Sequence, residues 1–371
     1  MKHHRDLWHA LMLSSALVLS GVSVVQPVGA QELFVGDGGN NGVNSAIAHF
    51  DVSNGKFLGD FVPPNGAGLH GPNGMIFTSG ELVVVNQNVN LPLNGELLRF
   101  DGETGTFIGK LVAASYTKSP FLPRGIVRGG PGNLFYVADL GLSNGCPTPG
   151  DVKVYDENGV LQYNLDHTLF PFPFYPRGVV FGPDGLLYVS AVGCDDTVGG
   201  PGPNVSAGYI LRFDVQKRAF VDVLASTATV RDLHRPEGLV FDRDGNLWVT
   251  SFRIVDDKND TDKILKLSGK TGELLDKIVE SAPRKPRVAA QDLIFGPDDK
   301  LFITVGSGSD PTLVGEVRRC DTKTKHCDII VPASTAGGPV QTPVYLIFRN
   351  SNPATLDYED ETKKQKQDQN E

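Results

Sequence analysis

The chain has 371 residues, of which 43 are Gly and 25 Pro; 40% are apolar, and the formal net charge is −9. Nucleic acid and anionic lipid surfaces both require clustered cations, so this acidic balance excludes them as partners. Abundant glycine and proline beside ample apolar content predict many short strands and tight turns, not a helical bundle.

Residues 1–30 read differently from the rest. Lys2, His3, His4 and Arg5 form a basic start, Leu11 to Val25 is apolar, and Val28-Gly29-Ala30 offers small residues for cleavage. That pattern predicts a signal peptide removed after Ala30, and hence a secreted or periplasmic protein. The apolar run falls short of the ~20 residues needed to span a bilayer, so no stable membrane insertion is expected.

From Glu32 onward one phrase recurs. Pro72-Asn73-Gly74-Met75-Ile76-Phe77 returns as Pro123-Arg124-Gly125, Pro176-Arg177-Gly178-Val179-Val180-Phe181 and Pro236-Glu237-Gly238-Leu239-Val240-Phe241. Asp292 to Phe295 and Pro343 to Phe348 open two further copies. The glycines and their equivalents stand at 74, 125, 178, 238, 292 and 345, a period of 51 to 60 residues that signals a repeat architecture. A second alternating run follows each, as in Asp184-Gly185 before Leu187-Tyr188-Val189, and then a hairpin such as Leu97 to Asp101 with Phe107 to Val112. Each repeat is therefore four antiparallel strands, A to D from the inside out.

The chain starts mid-repeat on a B strand, Glu32 to Asp37, and its last copy stops after an A strand, Pro343 to Phe348. Joined, they complete one blade and remove two open sheet edges. The expected architecture is all-β: a six-bladed β-propeller over residues 31–356, with a charged, disordered tail over 357–371.

In such a meander the A–B and C–D turns share one face, and the B–C and D–A connections share the other. The longer B–C loops mark the second face as the functional one. Two sets of residues are expected at the channel mouth there. The slot after each proline holds Asn73, Arg124, Arg177, Glu237, Gln291 and Val344, and the B strands end in Asp37, Asn86, Asp139, Ala191, Ser251 and Val305. Two arginines suit a carboxylate or phosphate, or else pair with Asp139 and Glu237 across a wet channel. His70 and His234, two residues before their prolines and on opposite sides of the ring, are candidate acid–base groups. Asp256, Asp257, Asn259, Asp260 and Asp262 form an oxygen-rich loop that is either a calcium site or simply solvated.

The four cysteines suggest two disulfides in an exported protein. Cys320 and Cys327 flank a C–D turn and should meet on neighbouring strands. Cys146 and Cys194 follow B strands of successive repeats and should join adjacent loops.

The Pro-x-Gly-hydrophobic-Phe phrase, Asp184-Gly185-Leu186-Leu187-Tyr188-Val189 and Arg99-Phe100-Asp101 before Thr104-Gly105 resemble NHL-repeat propellers, the regucalcin/gluconolactonase superfamily and the virginiamycin B lyase group. The resemblance covers about residues 32 to 350 and speaks to fold more than activity. In gluconolactonase-like enzymes it implies a divalent cation, calcium or magnesium, on the axis, for which Glu237 and Asn73 match ligand positions. Arg124 and Arg177 depart from that pattern. Leu247-Trp248-Val249-Thr250-Ser251 approaches the lyase group's Trp-Phe-Thr-Glu phrase without its Glu. The expected function is an exported, monomeric propeller binding a small or peptide-like anionic ligand at its channel mouth. The alternatives are a metal-assisted hydrolase or lyase and a protein-interaction scaffold.

Overall fold

The computed structural model describes residues 32–141, 148–193, 207–254, 257, 259–280, 288–296, 299–306 and 315–349. The signal segment, the tail, Cys146 and Cys194 lie outside them. The described residues form six four-stranded antiparallel sheets, each a meander from an inner to an outer strand. Blade 1 is Pro72–Thr78, Glu81–Asn86, Glu96–Asp101 and Phe107–Val112, and blade 2 is Pro123–Gly129, Leu134–Asp139, Asp151–Tyr155 and Leu161–Asn164. Blade 3 is Tyr175–Phe181, Leu187–Val192, Gly208–Asp214 and Ala219–Ser226, and blade 4 is Leu239–Phe241, Asn246–Ser251, Lys263–Ser268 and Leu274–Val279. Blade 5 is Ala289–Phe295, Leu301–Gly306, Glu316–Cys320 and Cys327–Val331. Blade 6 joins the two ends of the chain: Pro343–Phe348 is its inner strand, followed outward by Glu32–Asp37, Ala46–Asp51 and Phe57–Val62. Each inner strand lies against the next, and Pro343–Phe348 touches both Ala289–Phe295 and Pro72–Thr78, so the ring closes.

Closure uses the expected register. Leu33 faces Phe348, Phe34 faces Ile347 and Val35 faces Leu346. Arg349, just beyond, pairs with Glu32 and lies over the rings of Phe34, Phe61 and Phe77. The two ends of the fold are thereby tied by a strand ladder and by one buried-stem cation.

The repeated aromatics explain why the blades stack. The aromatic on a B strand meets, edge to face, the Phe that ends the next blade's A strand. Tyr136 meets Phe181 (5.4 Å), Tyr188 meets Phe241 (4.9 Å), Trp248 meets Phe295 (6.1 Å), Phe302 meets Phe348 (5.2 Å) and Phe34 meets Phe77 (5.1 Å). Such pairs add about 0.5–1.5 kcal/mol each beyond area burial. Between blades 1 and 2 the corresponding positions are Val83 and Arg128, and there Arg128 stacks over Phe135 and bonds the Thr78 hydroxyl instead.

The Pro-x-Gly phrase builds the axis. The pairing of A with B strands skips the x-Gly dipeptide, with register shifts between Pro72 and Met75, Pro123 and Ile126, and Pro176 and Val179. A bulge of this kind re-aims the extra side chain. The glycine lets the neighbouring inner backbone come close: a Cβ on Gly178 would lie 2.4 Å from the Glu237 carbonyl oxygen. Cys320 and Cys327 face each other across the C–D hairpin of blade 5 and form the expected disulfide.

Candidate functional site: the axial pocket

All six residues of the slot after the proline line one pocket on the axis: Asn73, Arg124, Arg177, Glu237, Gln291 and Val344. Around the ring, Asn73 stands opposite Glu237, Arg124 opposite Gln291, and Arg177 opposite Val344. Arg177 and Glu237, only 4% and 7% exposed, form an ion pair through Nη1 and Oε1. The pocket has a volume of ≈ 30 Å³. That holds a water or two and is far below the ~300–1,000 Å³ of a typical ligand cavity. Any larger ligand therefore sits at the mouth.

Two further side chains enter the pocket wall, and sequence reasoning did not single them out. Asp292 and Tyr345 occupy positions where the four other repeats have glycine. Their departure from the Pro-x-Gly pattern was the available signal. Asp292 is 6% exposed, and its Oδ2 accepts the Leu346 N–H of blade 6 at 3.1 Å. Burial pushes its carboxyl up to about 8, against the opposing pull of the Leu346 and Leu293 N–H groups. The shift favours the protonated acid at neutral pH. Burial, with the Asp292 charge behind it, raises the Tyr345 phenol well above its ordinary value.

Hydroxyls inside the B strands hold this side of the ring. Ser190 Oγ accepts the Gly178 N–H (2.8 Å) and donates to the Glu237 carbonyl (2.6 Å). Thr250 Oγ1 accepts the N–H groups of Glu237 (3.0 Å) and Gly238 (3.1 Å). Thr304 Oγ1 accepts the Asp292 N–H (3.1 Å) and donates to the Val344 carbonyl (3.3 Å). All three are fully buried. Each satisfies a backbone group that the bulge removes from the A–B ladder. The backbone of Glu237 is thereby fixed on both sides.

The B-strand ends do different work from that expected of them. Asp37, Asn86 and Asp139 do not line the axial pocket. They accept backbone N–H groups of the D–A loops that lead into the inner strands. Asp37 takes Gln341 (2.9 Å) and Thr342 (2.6 Å), Asn86 takes His70 (2.7 Å), and Asp139 takes Phe121 (2.9 Å) and Leu122 (2.8 Å). Ser251 Oγ does the same for His234 (2.9 Å). His70 and His234 also lie outside the lining, so the structure does not bring either imidazole to the pocket.

A divalent cation does not fit this ring. Of its two carboxyl groups, Glu237 is engaged by Arg177 and Asp292 Oδ2 by the Leu346 N–H, while two guanidinium groups line the same wall. Among the described residues no group of three or more His, Cys, Asp and Glu is placed to hold a metal. In the oxygen-rich loop, Asp260 accepts the Ile254 N–H and pairs with Lys263 at 2.5 Å, and Asp262 accepts the N–H groups of Arg253 and Val288, both at 3.0 Å. Those oxygens already serve the loop itself; Asp256 lies outside the described residues.

A larger cavity of ≈ 610 Å³ opens on the opposite face, between blades 4 and 5, beside Trp248 and Phe295. Three ion pairs lie within its wall: Lys266 with Asp242 (3.0 Å), Arg243 with Asp299 (3.2 Å), and Lys300 with Asp321. Among the described residues no helix is long and apolar enough to cross a membrane.

No protein-family model matches the chain, and no curated protein matches its sequence. Solved structures do match. A Bacteroides caccae protein of unknown function superposes with a TM-score of 0.53 at 12% identity, covering 87% of this chain and all of that one. The periplasmic gluconolactonase of Pseudomonas aeruginosa superposes with a TM-score of 0.53 at 15% identity, covering 86% of this chain and 99% of that one. The chain shares its fold with these proteins. At these identities the likeness is one of fold, and the side chains in the pocket must carry any argument about chemistry.

Proposed function

We propose that the chain is a hydrolase of small lactones or esters, acting at the axial pocket. The observation that carries this is the pocket itself: a water-sized cavity lined by two carboxyl side chains in contrasting environments and by two arginines. A substrate rests at the mouth and turns its acyl group toward the water, and the arginines supply positive charge where an oxyanion develops. The gluconolactonase-like fold supports the reading. The Cys320–Cys327 disulfide supports an oxidising, exported setting. The test is hydrolysis of glucono-1,5-lactone, δ-valerolactone and p-nitrophenyl acetate by purified protein with and without EDTA. Rates at the buffer background for all three would refute it.

The pairing of Arg124 and Arg177 in one ring favours a second reading, a binder of a small carboxylate or phosphate without turnover. Calorimetric binding of such an anion, with no hydrolysis, would select it.

A further inference from the structure

We propose that Glu237 and Asp292 act as a metal-independent base and acid pair, Glu237 activating the water in the axial pocket and Asp292 protonating the leaving oxygen. This rests on the hydrolase reading above and assigns the groups that would perform it.

Three observations carry it. Both side chains line the same water-sized cavity, from adjacent inner strands. Asp292 is held in the wall by backbone N–H groups, its Oδ2 accepting that of Leu346. The two inner strands approach closely here: a Cβ placed on Gly238, next to Glu237, would stand 2.8 Å from Asp292 Cα and 3.0 Å from its Oδ1. Glu237 in turn is immobilised on every side, by Thr250 at its N–H, by Ser190 at its carbonyl and by Arg177 at its carboxylate. Two carboxyls in contrasting surroundings, one ion-paired and one desolvated, are a usual arrangement for splitting acid and base roles. Burial, which raises the Asp292 carboxyl to about 8, suits it to the acid role, and Arg177 holds the Glu237 side chain in place.

The step balances without a co-reactant other than water. Glu237 takes a proton as the water oxygen bonds to the acyl carbon. The C–O bond to the leaving oxygen then breaks, and that oxygen takes the proton from Asp292. Glu237 returns its proton to Asp292 through solvent, and the net reaction is lactone plus water to hydroxy acid. Arg124, Arg177 and Tyr345 are the other titratable groups in the wall.

The test combines kinetics with a spectroscopic readout. For whichever of the three probes is turned over, activity should be unchanged by EDTA. Asp292→Asn and Glu237→Gln should each lower kcat about 100-fold with KM within about threefold. Wild-type kcat should fall above pH about 8, where Asp292 loses its proton. A carbonyl band of a protonated carboxylic acid should appear in the wild-type minus Asp292→Asn infrared difference spectrum at pH 7, in which the buried Glu280, whose carboxyl is also raised, cancels. Loss of activity in EDTA, an Asp292→Asn variant within threefold of wild type, or a difference spectrum without that band would overturn the assignment while leaving a hydrolase in place. A band with no turnover of any probe would overturn the hydrolase reading, and the assignment with it.

Discussion

Replacing Asp292 with asparagine should stabilise the protein, and by an amount that grows with pH. The side chain sits in the axial wall, 6% exposed, and burial raises its carboxyl from 3.8 to about 8. The unfolded chain releases this proton near pH 4, whereas the folded chain keeps it until about pH 8. The native state thus binds more protons through that window, and stability falls as pH rises across it. The shift is about 4 units, and at ~1.4 kcal/mol per unit it sets a ceiling of about 6 kcal/mol on the cost at pH 8 and above. Asparagine is close to an isostere of the protonated acid, and its carbonyl can still accept the Leu346 N–H. It does not titrate. The stability difference between variant and wild type should therefore rise by up to ~1.4 kcal/mol per pH unit from about pH 4 to 8, then level off. Urea unfolding of both proteins across pH 4.5–9 measures this, since every other titrating group cancels in the difference. A difference that does not change with pH would show that Asp292 ionises normally, and would remove the acid from the proposed mechanism.

Other perturbations probe the scaffold of the pocket. Gly178→Ala places a Cβ 2.4 Å from the Glu237 carbonyl oxygen, so it should cost about 1–3 kcal/mol and displace Glu237; thermal melting and the pair's activity would both report it, and a neutral effect would contradict the backbone packing described for the axis. Asp37→Ala strands the N–H groups of Gln341 and Thr342 beside the closure blade and should destabilise by about 1–3 kcal/mol for each group left unsatisfied. A chain ending before Pro343 loses the inner strand of blade 6 and exposes the Glu32–Asp37 edge, so light scattering should show aggregation; a monomer with unchanged melting would refute closure by that strand. Reduction of Cys320–Cys327 opens only a short loop in a hairpin that is already paired, and should lower stability by no more than about 2.5 kcal/mol.

Much of this protein is written in local pattern. The Pro-x-Gly phrase coincides with a bulge on the inner strands of blades 1, 2 and 3, and the repeat carries the same slot round the ring, so Asn73, Arg124, Arg177, Glu237, Gln291 and Val344 are legible as one set from the period alone. The closure of blade 6 and the Cys320–Cys327 bond are legible for a like reason, since each follows from strand alternation across a known partner. What alternation does not reveal is which backbone groups the bulges and loops leave unpaired. That accounting turns Asp37, Asn86, Asp139 and Ser251 toward the D–A loops, and sets Ser190, Thr250 and Thr304 as ties between inner strands. Nor does a sequence carry desolvation. Asp292 and Tyr345 look in sequence like two lapses in a glycine pattern, and only six strands closing around one axis remove enough water to keep a carboxyl protonated beside an ion-paired glutamate. Periodicity is a property of neighbours along the chain, whereas protonation in the pocket depends on everything packed around it, and the closed ring alone decides that.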